Sequence, residues 1–197
     1  MVVGRLELPK AAQGRHLAVE KYTGSISGKV ASPPPRVAGV WLTREGLTAA
    51  SIPQARLTQK GYQFGQSLLI VPLGTTVSFP NEDPDYHNVF SLSRSKRFDL
   101  GRYLAGERPA PSMTFDKVGL INLRCEIHEH MQAYILVVDS PYFATTDKDG
   151  HFVLKGVPAG SYTLHAQMDK KTTWTDKVTV QMGKTTSAQP ILTKIRR

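Results

Sequence analysis

The sequence predicts an all-β chain built as two β-sandwiches, and three observations carry that prediction. Short apolar runs follow one another densely between residues 55 and 138, each bounded by Gly, Pro, Asn or Asp. After Val138 the pattern changes, and two turn signals, Asp149-Gly150 and Pro158-Ala-Gly160, separate further short runs. At 197 residues and 40% hydrophobic content, the chain has enough material for one large β domain or two small ones with cores of their own.

Taken in order, residues 2–8 read as a strand ended by Pro9. The next stretch is broken by Gly14, Gly24, Gly28 and Pro33-Pro-Pro35, with a short strand possible at 25–30. Residues 36–42 alternate as a strand that places Val37, Gly39 and Trp41 on one side. A polar connection over 43–54 leads to strands at 55–58, 62–64, 68–71 and 75–79, with Pro72-Leu-Gly74 turning between the last two. Residues 80–84, Pro-Asn-Glu-Asp-Pro, form a polar turn that delivers His87. Residues 93–111 read as a connection in which 98–103 make a tight turn or short helix. Residues 113–115 and 120–125 then form a hairpin, and 133–138 is the last strand of this unit. Asp147-Lys-Asp-Gly150 has the opening of a calcium loop but lacks the remaining ligands, so it reads as a β-turn.

The chemistry concentrates in Leu123-Arg-Cys-Glu-Ile-His-Glu-His-Met131, which spaces a thiol, an imidazole and a thioether three residues apart at Cys125, His128 and Met131. These are soft and borderline donors. A His₂Cys set with a weak axial Met is the blue-copper arrangement, and it requires a second histidine from elsewhere. His87, in Asp85-Tyr-His-Asn-Val89, is the candidate. Alternation through 120–125 puts Ile121, Leu123 and Cys125 on one face, so the thiol points inward.

Cys-x-x-His-x-x-Met, downstream of a His-Asn pair that follows Gly-Thr-Thr-Val-Ser-Phe-Pro-Asn-Glu-Asp, resembles the cupredoxin family of plastocyanin, azurin and amicyanin. The resemblance implies a Greek-key β-sandwich holding one type 1 copper. His87, Cys125 and His128 would be the equatorial ligands, Met131 the axial one, and Asn88 the asparagine that ties the two ligand segments together. It also implies an electron carrier rather than an enzyme, a redox partner protein, and work in the periplasm or otherwise outside the cytoplasm. A copper-delivery module, or a β-scaffold interaction protein with a structural copper, would use the same ligands. His130 is an alternative ligand, because His128-x-His130 matches a multicopper-oxidase pattern. The full cluster of those enzymes needs more histidines than the six present.

Residues 144–164 and the runs at 178–180 and 190–192 resemble the carboxypeptidase regulatory-like, transthyretin-like β-sandwich. Alone, 139–197 is near the lower size limit for a self-sufficient sandwich. The expected organisation is therefore residues 1–50 as N-terminal strands of this smaller unit, 51–138 as the cupredoxin, and 139–197 as the remainder. The cupredoxin is then inserted in the smaller sandwich; in the alternative tandem order, residues 37–42 open the cupredoxin instead.

A formal charge of +9 and five basic residues, Arg94, Lys96, Arg97, Arg102 and Arg108, raise nucleic-acid binding, but no recognition motif accompanies them. A solvated face or an acidic protein partner is the better reading. The longest apolar run is far short of the ~18 residues of a membrane span. No secretory signal is visible at the N-terminus, where residues 1–9 lack a basic segment followed by an apolar one. A single cysteine excludes an internal disulfide. A thiol nucleophile paired with His128 would leave Met131 without a role.

Overall fold

A computed structural model describes residues 1–9, 30–47, 54–107 and 109–194, so the strand expected at 25–30, His16 and Arg108 lie outside the described residues. The chain is all-β. Two strands come first, β1 (Val2–Arg5) and β2 (Gly39–Thr43). Eight follow: β3 (Gln54–Arg56), β4 (Leu68–Pro72), β5 (Thr76–Ser78), β6 (His87–Leu92), β7 (Arg97–Tyr103), β8 (Ser112–Thr114), β9 (Gly119–Arg124) and β10 (Gln132–Val138). Then come β11 (Phe143–Thr145), β12 (His151–Leu154), β13 (Gly160–Gln167), β14 (Thr172–Val180), β15 (Thr186–Ala188) and β16 (Ile191–Lys194).

Strands β3 to β10 pair only with one another, in a five-stranded sheet ordered β4-β10-β9-β6-β7 and a three-stranded sheet ordered β3-β5-β8. Between them lies a core that includes Leu57, Phe64, Val77, Phe79, Phe115, Ile121, Leu123, Ile135 and Val137. The remaining strands form β12-β1-β15 and β11-β2-β13-β14-β16 around a second core of Val2, Leu6, Val40, Leu42, Phe152, Leu164 and Trp174. Strand β1 lies between β12 and β15, with Val2 opposite Leu154 and Thr186. Strand β2 lies between β11 and β13, with Trp41 opposite both Phe143 and His165. The Leu42 N–H donates to the Tyr142 carbonyl at 3.0 Å, so the chain leaves one strand after residue 43 and re-enters its antiparallel neighbour just beyond residue 142.

A third apolar cluster joins the two units. Leu68, Ile70, Leu136 and Val138 face Val37, Trp41 and Phe143. This explains the unbroken apolar run of β10: Ile135 and Val137 fill the inner core while Leu136 and Val138 cover the outer face, so both faces of the strand are buried. A Cβ at Gly39 would come within 2.6 Å of a Leu136 methyl, so β2 approaches this sheet where its side chain is smallest.

Three sequence expectations are corrected. Residues 62–64 are not a strand, because Tyr62 takes a left-handed backbone (φ 58°) that breaks an extended run. Residues 98–103 belong to β7 rather than to a turn or helix. Phe98 and Leu100 pack towards the core while Arg97, Asp99 and Arg102 project from this edge strand, so charges mask the period-two pattern. Residues 113–115 and 120–125 do not form a hairpin: β8 pairs with β5, whereas β9 pairs with β10 and β6, so the segment between them crosses from one sheet to the other. At 147–150 a β-turn is present, closed by the Gly150 N–H on the Asp147 carbonyl at 3.1 Å.

Candidate metal centre

His87 opens β6, and the other predicted donors sit on the connection between β9 and β10. That connection is short because β9 and β10 are ladder neighbours with Arg124 opposite Gln132. It is closed by the Cys125 N–H on the Met131 carbonyl (3.4 Å) and the Met131 N–H on the His128 carbonyl (2.9 Å). Strand β6 meets β9 at Phe90 opposite Arg124, which brings the start of one strand beside the end of the other.

His87, Cys125 and His128 converge, with one donor atom from each lying within 4.8 Å of the others. The two Nδ1 atoms are 3.0 Å apart, and Cys125 Sγ is 3.8 Å from His128 Nδ1. All three side chains are buried, His87 completely and His128 to 5% exposure. Met131 is fully buried in the same apolar cluster as Cys125. His130 stands apart: its Nε2–H donates to the Tyr62 carbonyl at 2.9 Å.

A shell of hydrogen bonds aims these donors. His87 Nε2 donates to Asp83 Oδ2 at 2.8 Å, which holds the ring proton on Nε2 and turns the Nδ1 lone pair towards His128 and Cys125. Asp83 is itself fixed, since its carboxylate also accepts from the N–H groups of Gly61 (2.6 Å) and Tyr62 (2.9 Å). Asn88 bridges the two donor segments. Its side-chain oxygen accepts from the Glu126 N–H at 3.2 Å, and its amide donates to Asp99 at 2.6 Å. Tyr62 packs edge-on against both imidazoles, with ring centroids 5.7 Å from His87 and 5.2 Å from His128.

The sequence reading did not foresee Asp83 or Tyr62 as parts of the centre. For Asp83 a signal was available, a carboxylate four residues before His87 in a tight Asn-Glu-Asp-Pro turn. For Tyr62 there was none.

Burial dominates the electrostatics. It lowers the pKa of His87 below the ordinary value against the opposing pull of Asp83. His128 is pushed down to about 4, first by burial and then by repulsion from His87 and His130. Both imidazoles are therefore neutral at neutral pH, as metal coordination requires. One sulfur and two imidazole nitrogens, converging in a buried pocket with the proton of one ring held on the far nitrogen, fit a borderline or soft metal ion; a hard ion would need oxygen donors. Of the basic residues, Arg102 lies at the donor end of β7, opposite Asn88, whereas Arg94, Lys96 and Arg97 lie at the far end, where Arg97 is opposite Leu92. Arg102 is paired with Glu126 at 2.5 Å and Lys96 with Asp116 at 2.9 Å, so part of that charge is neutralised internally.

Residues 131–193 match the carboxypeptidase regulatory-like domain family. That match begins at Met131, just before β10, and so takes in the whole of that strand. No curated protein sequence matches the chain. Among solved structures, the chain is similar to a purple cupredoxin from Nitrosopumilus maritimus, at 21% identity over 43% of this chain and 99% of that one (TM-score 0.38). A copper-containing nitrite reductase from Thermus scotoductus matches at 27% identity over 49% of this chain and 25% of that one (TM-score 0.41). Amicyanin from Paracoccus versutus matches at 20% identity over 50% and 97%, respectively (TM-score 0.40).

Proposed function

We propose that this protein carries single electrons on one copper ion held by His87, Cys125 and His128, with Met131 as a weak fourth ligand. The supporting observation is the buried convergence of one thiol sulfur and two imidazole nitrogens within 4.8 Å. A trigonal His₂Cys donor set with an axial thioether supplies a one-electron Cu(I)/Cu(II) couple. Around it the chain's residues keep the geometry fixed: Asp83 orients His87, Asn88 ties β6 to the residue after Cys125, and the backbone bonds at Met131 hold the loop shut. Such bracing and the exclusion of water both limit rearrangement when charge changes.

The function so read is that of a carrier with a redox partner protein, working outside the cytoplasm, and not of an enzyme. Among the described residues no helix is long and apolar enough to cross a membrane. The exposed basic residues Arg94 and Arg97, on β7 and its approach, would suit an acidic surface on that partner.

We also propose that residues 51–138 are a guest unit inserted into a host formed by 1–50 and 139–197. The support is strand pairing: β1 and β2 take all their partners from β11, β12, β13 and β15.

The experiment is addition of Cu(II) to the purified protein, followed by visible and EPR spectra and a reversible one-electron titration. An intense thiolate-to-copper band is expected. Cys125→Ser should abolish it, because a hydroxyl is a hard, weak donor; Met131→Leu should keep the band and raise the potential. A strongly coloured Cys125→Ser variant overturns the ligand set. Slow copper loss to a strong chelator is expected of a carrier, and rapid loss would favour delivery.

A further inference from the structure

Tyr62 is the sole non-glycine among the described residues with a left-handed backbone, at φ 58°. That conformation is unfavourable for a bulky side chain and persists where the surroundings over-determine it. Here they do so at four points. The Tyr62 N–H donates to Asp83 Oδ2 at 2.9 Å, and its carbonyl accepts from His130 Nε2 at 2.9 Å. Its hydroxyl donates to Asp85 Oδ2 at 2.5 Å. Its ring lies edge-on to both imidazoles of the centre, at interplanar angles of 75° and 78°.

Tyr62 is 1% exposed, and His87, Cys125 and His128 are at most 5% exposed. Little of either imidazole of the centre is therefore open to solvent. The two acidic residues that fix Tyr62, Asp83 and Asp85, belong to the segment that carries His87, so the covering ring and the donor are held by one frame.

We infer that Tyr62 is a specificity-determining residue of the metal centre, closing it to external ligands such as small anions and free imidazole so that coordination is restricted to the chain's own donors. This rests on the metal-binding reading above. His130 thereby acquires a role as a brace for the Tyr62 backbone, and it need not be a ligand.

The test compares the wild-type protein with Tyr62→Gly and Tyr62→Phe, each loaded with Cu(II) and titrated with sodium azide while visible and EPR spectra are followed. Glycine accepts φ 58° without strain, so the substitution removes the ring and leaves the backbone relaxed. The wild type and Tyr62→Phe are expected to hold their spectra, whereas Tyr62→Gly should show a saturable change, half complete at an azide concentration about tenfold or more below the highest one that leaves the other two unchanged. Equal azide response in the wild type and Tyr62→Gly overturns the inference, as does Tyr62→Phe opening as readily as Tyr62→Gly. A second measurement needs no variant: water-proton relaxation of the Cu(II)-loaded wild type should show no exchanging water on the metal, and a bound water overturns closure. Failure of the wild type to take up Cu(II) at all would instead sink the metal-binding reading, so the two failures are distinguishable.

Discussion

Asp83 receives three hydrogen bonds, from the His87 ring and from the N–H groups of Gly61 and Tyr62, and so couples the donor to its cover. Asp83→Asn keeps the shape but replaces a carboxylate with a neutral amide, which weakens its hold on the Nε2 proton and lowers the basicity of Nδ1. Copper retention should fall by about 10–100-fold, as is typical when an outer-shell partner is lost, measured by competition with a chelator; unchanged retention would remove Asp83 from the centre. The histidines give a second expectation, for the metal-free protein. His128 has a folded-state pKa of about 4 against an ordinary 6.5. Between those values the unfolded chain binds more protons than the folded one, so stability rises with pH across this window and levels off above it. The urea midpoint of the metal-free protein should be lower at pH 4.5 than at pH 7, and His128→Asn should shrink that difference; an equal difference in the variant contradicts the assignment. The convergence of Cys125 and His128 was legible in the sequence because the two are local, at three-residue spacing. Tyr62 was not, because its contact with His128 is made by tertiary folding alone and no periodicity records it.

At the scale of the element, the turn at 147–150 shows how a short motif takes its meaning from its setting. Asp147 Oδ1 accepts from the N–H groups of both Asp149 and His151, and Gly150 sits at φ 87° against the Leu6 backbone. A Cβ at Gly150 would lie 2.0 Å from the Leu6 carbonyl oxygen. Gly150→Ala should therefore destabilise the β1–β12 pairing by at least ~1 kcal/mol, lowering the midpoint of thermal unfolding, while the copper spectrum stays unchanged. Loss of the spectrum in that variant would mean that the two units do not stand independently. Strands with clean alternation, such as β9 and β12, were readable in advance. Strand β7 was not, since an edge strand tolerates Arg97, Asp99 and Arg102 and so resembles a loop. Nor was the separation of β8 from β9, because whether two short runs pair or part depends on which partner each finds across the sandwich.

For the whole molecule, the adjacency of β2 and β11 makes residues 44–141 the connection between neighbouring antiparallel strands. Replacing that stretch with an Asn-Gly turn should leave a chain that still folds with the β-sheet circular dichroism and cooperative melt of the smaller unit. It would expose Val37, Trp41 and Phe143, so a tendency to self-associate is expected. Failure to fold would argue that the contact with Leu136 and Val138 is part of the smaller unit's own core. The change of character after Val138 was visible in the sequence, but the partnership of strands at opposite ends of the chain is a property of topology and leaves only the hint that 139–197 is too small alone. The same topology imposes an order on biosynthesis. Strands β3 to β10 have every partner they need once residue 138 has left the ribosome, whereas β1 must wait for β15, whose residues begin at Thr186. Strands β3 to β10 can thus pair while the strands that precede them are still unpaired, and on the copper reading proposed above, chains stalled once residue 138 has cleared the ribosome should already take up copper, with β1 and β2 open to protease until the last strands emerge.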